Sequence, residues 1–209
     1  MQVRDWSVRL GGPAVRARHL PLRGPLLGLV GWGPWSPERR RAHLTAVMRR
    51  RTAVSGWFGL KCHWHHFRGW FVEGGLDVES DLRVRQWVWI RRRDTVAQAV
   101  SWARALQTGQ WASWQASHRR PVYRPRQIES LLWRIRSHEQ CWERTFDRAG
   151  ADPLCLDFED VVEDATGAVA SVLRVCERPV SAPIAPTDLR PQADAINREW
   201  IRRFRAEGT

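Results

Sequence analysis

Lysine is almost absent from this chain, although basic residues are abundant. Of 34 lysines and arginines in 209 residues, only Lys61 is a lysine. The formal net charge of +12 is typical of a protein that binds a polyanion. A preference for arginine also follows from a GC-rich coding sequence, however, and the basic residues are spread along the whole chain. Because no nucleic-acid-binding motif accompanies the charge, nucleic-acid binding is the less favoured interpretation.

Cysteine pairs and long apolar runs are also lacking. The four cysteines are widely separated and form no CxxC pair, so the sequence predicts free thiols in a reducing compartment. The most apolar early segment, Leu26 to Val30, is far too short to cross a membrane, and no signal peptide is recognisable. We therefore expect a cytoplasmic protein without a membrane partner.

The chain also lacks the ligand clusters of a metal site. The run from Cys62 to His66 contains potential ligands, and on a strand His63 and His65 would point to the same face. Two ligands on one face do not complete a zinc site, and no second cluster supplies the others. The sequence therefore predicts no metal, and a structural or surface role for these histidines.

Apolar residues at helical spacing alternate with short apolar runs from Ser36 onwards. This alternation predicts an α/β domain with a mostly parallel sheet flanked by helices. Residues 1–35 show no sustained period and are interpreted as an irregular segment of unknown fold. The predicted elements are helices at 36–51, 94–106, 126–149, 166–176 and around Ile196 to Phe204, and strands at 57–61, 86–91 (buried) and 154–158.

Three consecutive arginines, Arg91 to Arg93, join the second predicted strand to the helix that follows it. In α/β proteins ligands bind outside the carboxyl ends of strands, where the next helix presents free N–H groups. Forked guanidinium groups at this position predict a site for an anion such as phosphate. Ser101 lies about 9 Å further along the helix at about 1.5 Å per residue. Arg93 and Ser101 are predicted to bind one phosphate, the alternative being a basic strand end with an incidental serine.

At these residues the chain resembles the trehalose sulfotransferase family. The resemblance is carried by WIRRRDTVAQAVSWARALQTGQW at 89–111, GWFGLKCHWHHF at 56–67, PVYRP at 121–125, LCLDFEDVV at 154–162 and RPQADAINREWIRRF at 190–204. It implies a P-loop-kinase-like sulfotransferase domain over residues 36–206. It also implies transfer of a sulfuryl group from 3′-phosphoadenosine 5′-phosphosulfate (PAPS) to a carbohydrate hydroxyl, with 3′-phosphoadenosine 5′-phosphate (PAP) as product.

The resemblance also suggests roles for particular residues. Sulfotransferases hold the 3′-phosphate of the nucleotide with an arginine and a serine separated by seven residues, the spacing of Arg93 and Ser101. The Lys-x-His pattern of Lys61 and His63 resembles the lysine and catalytic histidine of cytosolic sulfotransferases. It implies Lys61 as a nucleotide or substrate contact and His63 as a weak candidate for the base, since neutral imidazole suits proton abstraction near pH 7. Within the trehalose family, however, the base is expected elsewhere.

The acidic pair Glu159-Asp160 follows the third predicted strand, as in a corresponding turn of the family. These carboxylates either orient Arg93 or a neighbouring helix, or simply cap the next helix.

One part of the family pattern is not evident at the front of the chain. Residues 1–35 contain no Gly-rich loop with an adjacent Ser or Thr, and no glutamate precedes Glu38. In the family such a loop cradles the 5′-phosphosulfate, so we expect an N-terminally incomplete domain whose activity is impaired. Three functions therefore stay open: a carbohydrate sulfotransferase, a non-catalytic or degenerate PAP/PAPS-binding protein of the same fold, and a basic nucleic-acid-binding protein. A homodimer is an expected assembly in the first two cases.

Overall fold

The structure is a computed structural model that describes residues 35–111, 115–117, 119–179 and 194–208. Apart from Trp35, the predicted irregular segment 1–35 lies outside these residues, as do residues 190–193 of the last family motif. The described chain forms two compact units that divide between Arg85 and Gln86. The smaller unit contains residues 35–85 and the larger one the residues that follow.

The smaller unit begins with the predicted helix, α1 (Pro37–Arg51). Its start follows from the sequence, because the Ser36 hydroxyl accepts a hydrogen bond from the Arg39 N–H at 3.3 Å and Pro37 occupies the first helical position. Leu44 on α1 is buried against Trp70 and Leu76, which form the core of this unit.

The strand predicted at 57–61 is wrong, because residues 57–63 form no regular structure and the helix α2 (Trp64–Phe67) follows. A π-helical turn, Arg68–Val72, continues α2. The spacing of Phe67, Trp70 and Phe71 favours this helical segment, since three- and four-residue steps place side chains on one face of a helix. Phe67 and Trp70 are buried accordingly. A second π-helical turn, Val78–Leu82, completes the unit and is joined to α1 by an ion pair between Arg41 and Asp81 at 2.6 Å.

The larger unit is α/β, as predicted, with a parallel sheet and mainly helical surroundings. Within the described residues the sheet has two strands, β1 (Val88–Arg91) and β2 (Leu154–Asp157). The helices are α3 (Thr95–Thr108), α4 (Pro125–Ala149), α5 (Phe158–Glu163), α6 (Ala165–Val175) and α7 (Ala195–Glu207). The predicted start of α3 and both predicted ends of α4 are confirmed to within one residue, and Gly150 ends α4 with a φ of 57°, a conformation that favours glycine.

The core of this unit lies where α3, α4 and α7 meet. Apolar residues at helical spacing on α3 predict a core-facing stripe, namely Val96, Ala99, Val100, Ala103 and Leu106. Part of this stripe is confirmed, because Ala99, Val100 and Ala103 are fully buried. Leu106 is exposed although Ala105 and Thr108 beside it are buried, so the packed face at this end of α3 is the side of Ala105 and Thr108. The other buried members of the core are Ile128, Leu131 and Ile135 of α4 and Trp200 of α7.

The prediction of a buried strand at 86–91 is only partly correct. Trp89 packs against Phe146 of α4, with ring centroids 5.5 Å apart. Val88 and Ile90 are exposed, because they point away from the face on which α4 packs. Among the described helices, none is both long and apolar enough to cross a membrane.

Candidate functional site

The parallel pairing of β1 and β2 brings two charged sequences to one edge of the sheet. Arg91 is in register with Asp157, so both strands end side by side. The chain then continues into α3 from β1 and into α5 from β2. The three consecutive arginines therefore lie beside the acidic residues that follow β2, at the carboxyl end of both strands.

Arg93 is held in place by two of these acidic residues. Its Nη1 and Nη2 atoms donate to the two carboxylate oxygens of Asp160 at 3.0 and 2.6 Å, and Nη1 also donates to Asp157 at 3.3 Å. The hydrogen bond with Asp160 and the surrounding negative charge raise the pKa of Arg93 above its ordinary value. The structure thus shows the first of the two roles considered for the acidic pair, in which Asp160 orients Arg93.

Glu159 binds the backbone at the start of α3. One carboxylate oxygen accepts from the Arg93 N–H at 3.1 Å and the other from the Asp94 N–H at 3.5 Å. Arg92 Nε lies 3.6 Å from the same carboxylate. Although partial burial raises the pKa of Glu159, hydrogen bonds from its own backbone N–H and from those of Arg93 and Asp94 outweigh this effect and lower it. This backbone turn therefore already accommodates an anionic group.

Every arginine of the run has a carboxylate partner, whereas the sequence suggested one only for Arg93. Arg91 contacts Asp157 at 3.4 Å. The remaining pairs are those of Arg92 with Glu159 and of Arg93 with Asp157 and Asp160. Three guanidinium groups thus face three carboxylates. A phosphate that binds Arg93 through the Nη1–Nη2 edge would have to displace Asp160 from it.

Ser101 lies in the second turn of α3 and is half-buried. Arg93 comes just before this helix, whose N-cap is Asp94. The side chain of Asp94 caps α3 by accepting from the Ala97 N–H at 2.9 Å. Arg93 and Ser101 are therefore positioned by one helix and its N-terminal turn.

Lys61 and His63 belong to the smaller unit, whereas Arg93 and Ser101 belong to the larger one. His63 is the N-cap residue of α2, so His63 and His65 do not alternate along a strand as expected. Their rings are stacked instead, with centroids 5.9 Å apart. Burial raises the pKa of the Cys62 thiol to about 12, which keeps it protonated at neutral pH. Within the described residues, no group of three or more His, Cys, Asp or Glu side chains is arranged to hold a metal ion.

Two residues of this edge were missed by the sequence analysis, Asp157 and Arg205. Arg205, near the end of α7, donates to Asp94 at 2.9 Å. Asp157 was detectable in principle, because parallel strands end at the same edge and its strand was predicted. Arg205 follows Asp94 by 111 residues, and no local pattern signals a contact of that range.

Comparison with known proteins gives this site a context. The family model for Stf0 sulphotransferase matches residues 36–207 of the chain. The chain belongs to the Stf0 sulphotransferase family. This match agrees with the resemblance seen in the sequence and covers every residue of the candidate site.

Two curated relatives of this Stf0 sulphotransferase chain carry the same name. Trehalose 2-sulfotransferase of Mycobacterium tuberculosis (strain ATCC 35801 / TMC 107 / Erdman) is 36% identical over 123 residues, which are 57% of this chain and 45% of the relative. Trehalose 2-sulfotransferase of Mycolicibacterium smegmatis (strain ATCC 700084 / mc(2)155) is 30% identical over 120 residues, 56% of this chain and 45% of the relative. The chain thus matches less than half the length of these relatives.

Proposed function

We propose that this protein transfers a sulfuryl group from PAPS to a carbohydrate hydroxyl, with trehalose as the first acceptor to test. The observation that carries the proposal is its membership of the Stf0 sulphotransferase family, together with two relatives named trehalose 2-sulfotransferase. Membership favours this function over the two alternatives, a non-catalytic nucleotide-binding protein and a nucleic-acid-binding protein.

The donors at the carboxyl edge of the sheet have the chemistry that a nucleotide phosphate needs. Arg93 offers a forked guanidinium, and the backbone N–H groups of Arg93 and Asp94 already bind the carboxylate of Glu159. A phosphate has the same charge sign and acceptor oxygens as that carboxylate. These contacts support Arg93 as one proposed 3′-phosphate ligand, and Ser101 is the other because of its spacing from Arg93.

The proposed reaction assigns further roles to the chain. PAPS would supply the activated sulfuryl group, and the acceptor oxygen would form the new bond to sulfur as the bond to the 5′-phosphate breaks. The hydroxyl proton would pass to a base, for which His63 is our weak candidate. Lys61 is our candidate for a further nucleotide or substrate contact. A cytoplasmic location, with four free cysteines, and a homodimeric assembly, which light scattering can test, complete the proposal.

Titration calorimetry with PAP tests the nucleotide site. We expect Arg93→Gln to weaken binding about tenfold to hundredfold, because a charge-assisted hydrogen bond contributes about 1.5–3 kcal/mol. Ser101→Ala should weaken it about two- to tenfold, since a neutral hydroxyl contributes about 0.5–1.5 kcal/mol. The matched controls are Arg144→Gln and Ser130→Ala, at exposed positions of α4, which should leave binding unchanged.

The outcomes separate the site from the function. Unchanged PAP affinity in both Arg93→Gln and Ser101→Ala would rule out the proposed phosphate ligands, whereas the function would stand. Transfer of radiolabelled sulfate from PAPS to trehalose tests the reaction itself. A wild-type protein that neither binds PAP nor transfers sulfate to any sugar would refute the proposed function.

A further inference from the structure

The helix α7 packs antiparallel on α3 and is fixed to it at both ends. Near the end of α3, Arg104 donates to the two carboxylate oxygens of Asp194 at 2.7 and 2.9 Å and to the Asn197 side chain at 2.7 Å. At the start of α3, the carboxylate of Asp94 accepts from Arg205 at 2.9 Å. Because Asp194 precedes α7 and Arg205 lies near its end, the two helices run in opposite directions.

These contacts show which side of α3 carries Ser101. On an α-helix, residues three and four positions apart share a face. Asp94, Ser101 and Arg104 lie on one such stripe, and both ends of the stripe contact α7. Ser101 is half-buried, as this position requires. The side of α3 that presents Ser101 is therefore the side that faces α7.

Two arginines are linked to the N-terminal turn of α3. Arg93 precedes Asp94 directly in the chain, and Arg205 reaches Asp94 from α7. The side chains of both arginines are more than half exposed, 55% for Arg93 and 57% for Arg205. Exposed ion pairs contribute little to stability, so either guanidinium can exchange its carboxylate for a more highly charged ligand without disturbing the core.

We propose that Arg205 is a second guanidinium ligand of the 3′-phosphate, opposite Arg93. The inference rests on the proposed function, since it names a further residue of the nucleotide site. A phosphate monoester carries nearly two negative charges and presents three acceptor oxygens. Two forked guanidinium groups and the Ser101 hydroxyl supply donors for all three oxygens. In this arrangement α7 forms one wall of the site, and Arg104 keeps α7 in the position from which Arg205 reaches it.

The test compares two nucleotides that differ in the 3′-phosphate. Calorimetry with PAP and with adenosine 5′-monophosphate is carried out on wild type, Arg205→Gln and Arg202→Gln. The control residue Arg202 lies on the same helix and pairs locally with Glu199, so it reproduces the change in charge. We expect Arg205→Gln to weaken PAP about tenfold to hundredfold and adenosine 5′-monophosphate less than twofold. Arg202→Gln should change neither by more than about twofold, because its pair is exposed.

A lysine variant keeps the test decisive if Arg205→Gln loosens α7. Arg205→Lys retains the charge without the fork, so it should recover part of the lost PAP affinity. Equal weakening of both nucleotides in Arg205→Gln, or unchanged PAP affinity, would overturn the inference while leaving the proposed function intact. A wild-type protein without measurable PAP affinity would instead overturn the proposed function, and this inference with it.

Discussion

Replacing Asp160 by asparagine should strengthen the binding of PAP about two- to fivefold. The reason lies in the two hydrogen bonds by which Asp160 occupies the guanidinium of Arg93, at 2.6 and 3.0 Å. If Arg93 binds the 3′-phosphate, the nucleotide competes with this carboxylate. The Asp160→Asn variant would keep the shape of the side chain, but its neutral amide has no charge with which to compete.

The size of the effect follows from the exposure of the pair. The side chains of Arg93 and Asp160 are 55% and 60% exposed, and ion pairs of this kind contribute about 0.2–1 kcal/mol. The upper end of that range corresponds to about a fivefold change in affinity. A charge-assisted bond from Arg93 to phosphate is worth about 1.5–3 kcal/mol, so the phosphate wins the competition. If the nucleotide binds as proposed, the acidic cluster therefore weakens binding without preventing it.

The assay is titration calorimetry with PAP at fixed ionic strength. Asp147→Asn, at an exposed position of α4, is the matched control for the change in net charge and should leave the affinity unchanged. In the double variant Arg93→Gln/Asp160→Asn the gain should disappear, because both substitutions act on one interaction. Weaker binding by Asp160→Asn would refute the competition and show that the carboxylate is needed to aim Arg93. Unchanged binding would mean that the phosphate does not bind Arg93 through the edge that Asp160 occupies.

Two further predictions concern stability. Arg104→Gln should lower the free energy of unfolding by about 2–4 kcal/mol, measured in denaturant titrations. The Arg104 side chain is only 14% exposed, and its loss leaves the buried Asn197 side chain without this donor. A loss below about 0.5 kcal/mol, as expected for Arg202→Gln, would show that α7 is held by its apolar face alone. Burial lowers the pKa of His66 from 6.5 to about 4. Because the unfolded chain then binds a proton more readily than the folded protein, the folded protein loses stability as the pH falls from 6.5 through 4. Melting temperatures of His66→Gln should fall less over this interval, and an unchanged slope would assign the pH dependence to other groups.

The helices of this protein were largely readable from the sequence. Caps and periodicity are local signals, so Ser36 and Gly150 marked helix ends correctly. The segment 57–61 was misread as a strand. Its aromatic residues are typical of strands, but strand preference depends on burial against neighbours, and no side chain of this segment is buried.

The candidate site was predictable in position but not in its contacts. The arginine run at a strand end identified the carboxyl edge of the sheet, because that rule depends only on the order of elements. The pairing of Arg93 with Asp160 spans 67 residues and that of Asp94 with Arg205 spans 111. Such contacts depend on strand register and on the way α7 docks, and neither can be read from residues close in sequence.

The matched charges at the edge of the sheet limit the distance over which this site acts on a ligand. The chain carries a formal net charge of +12, but the run Arg91 to Arg93 is offset by carboxylates within 3.6 Å. The electric fields of opposite charges this close cancel each other at distances shorter than the screening length, which is about 8 Å in physiological salt. Polyanions and small phosphates in solution are therefore not steered to this edge by its local field. At the proposed site a ligand would therefore be selected on contact, by having the charge and geometry to replace a carboxylate.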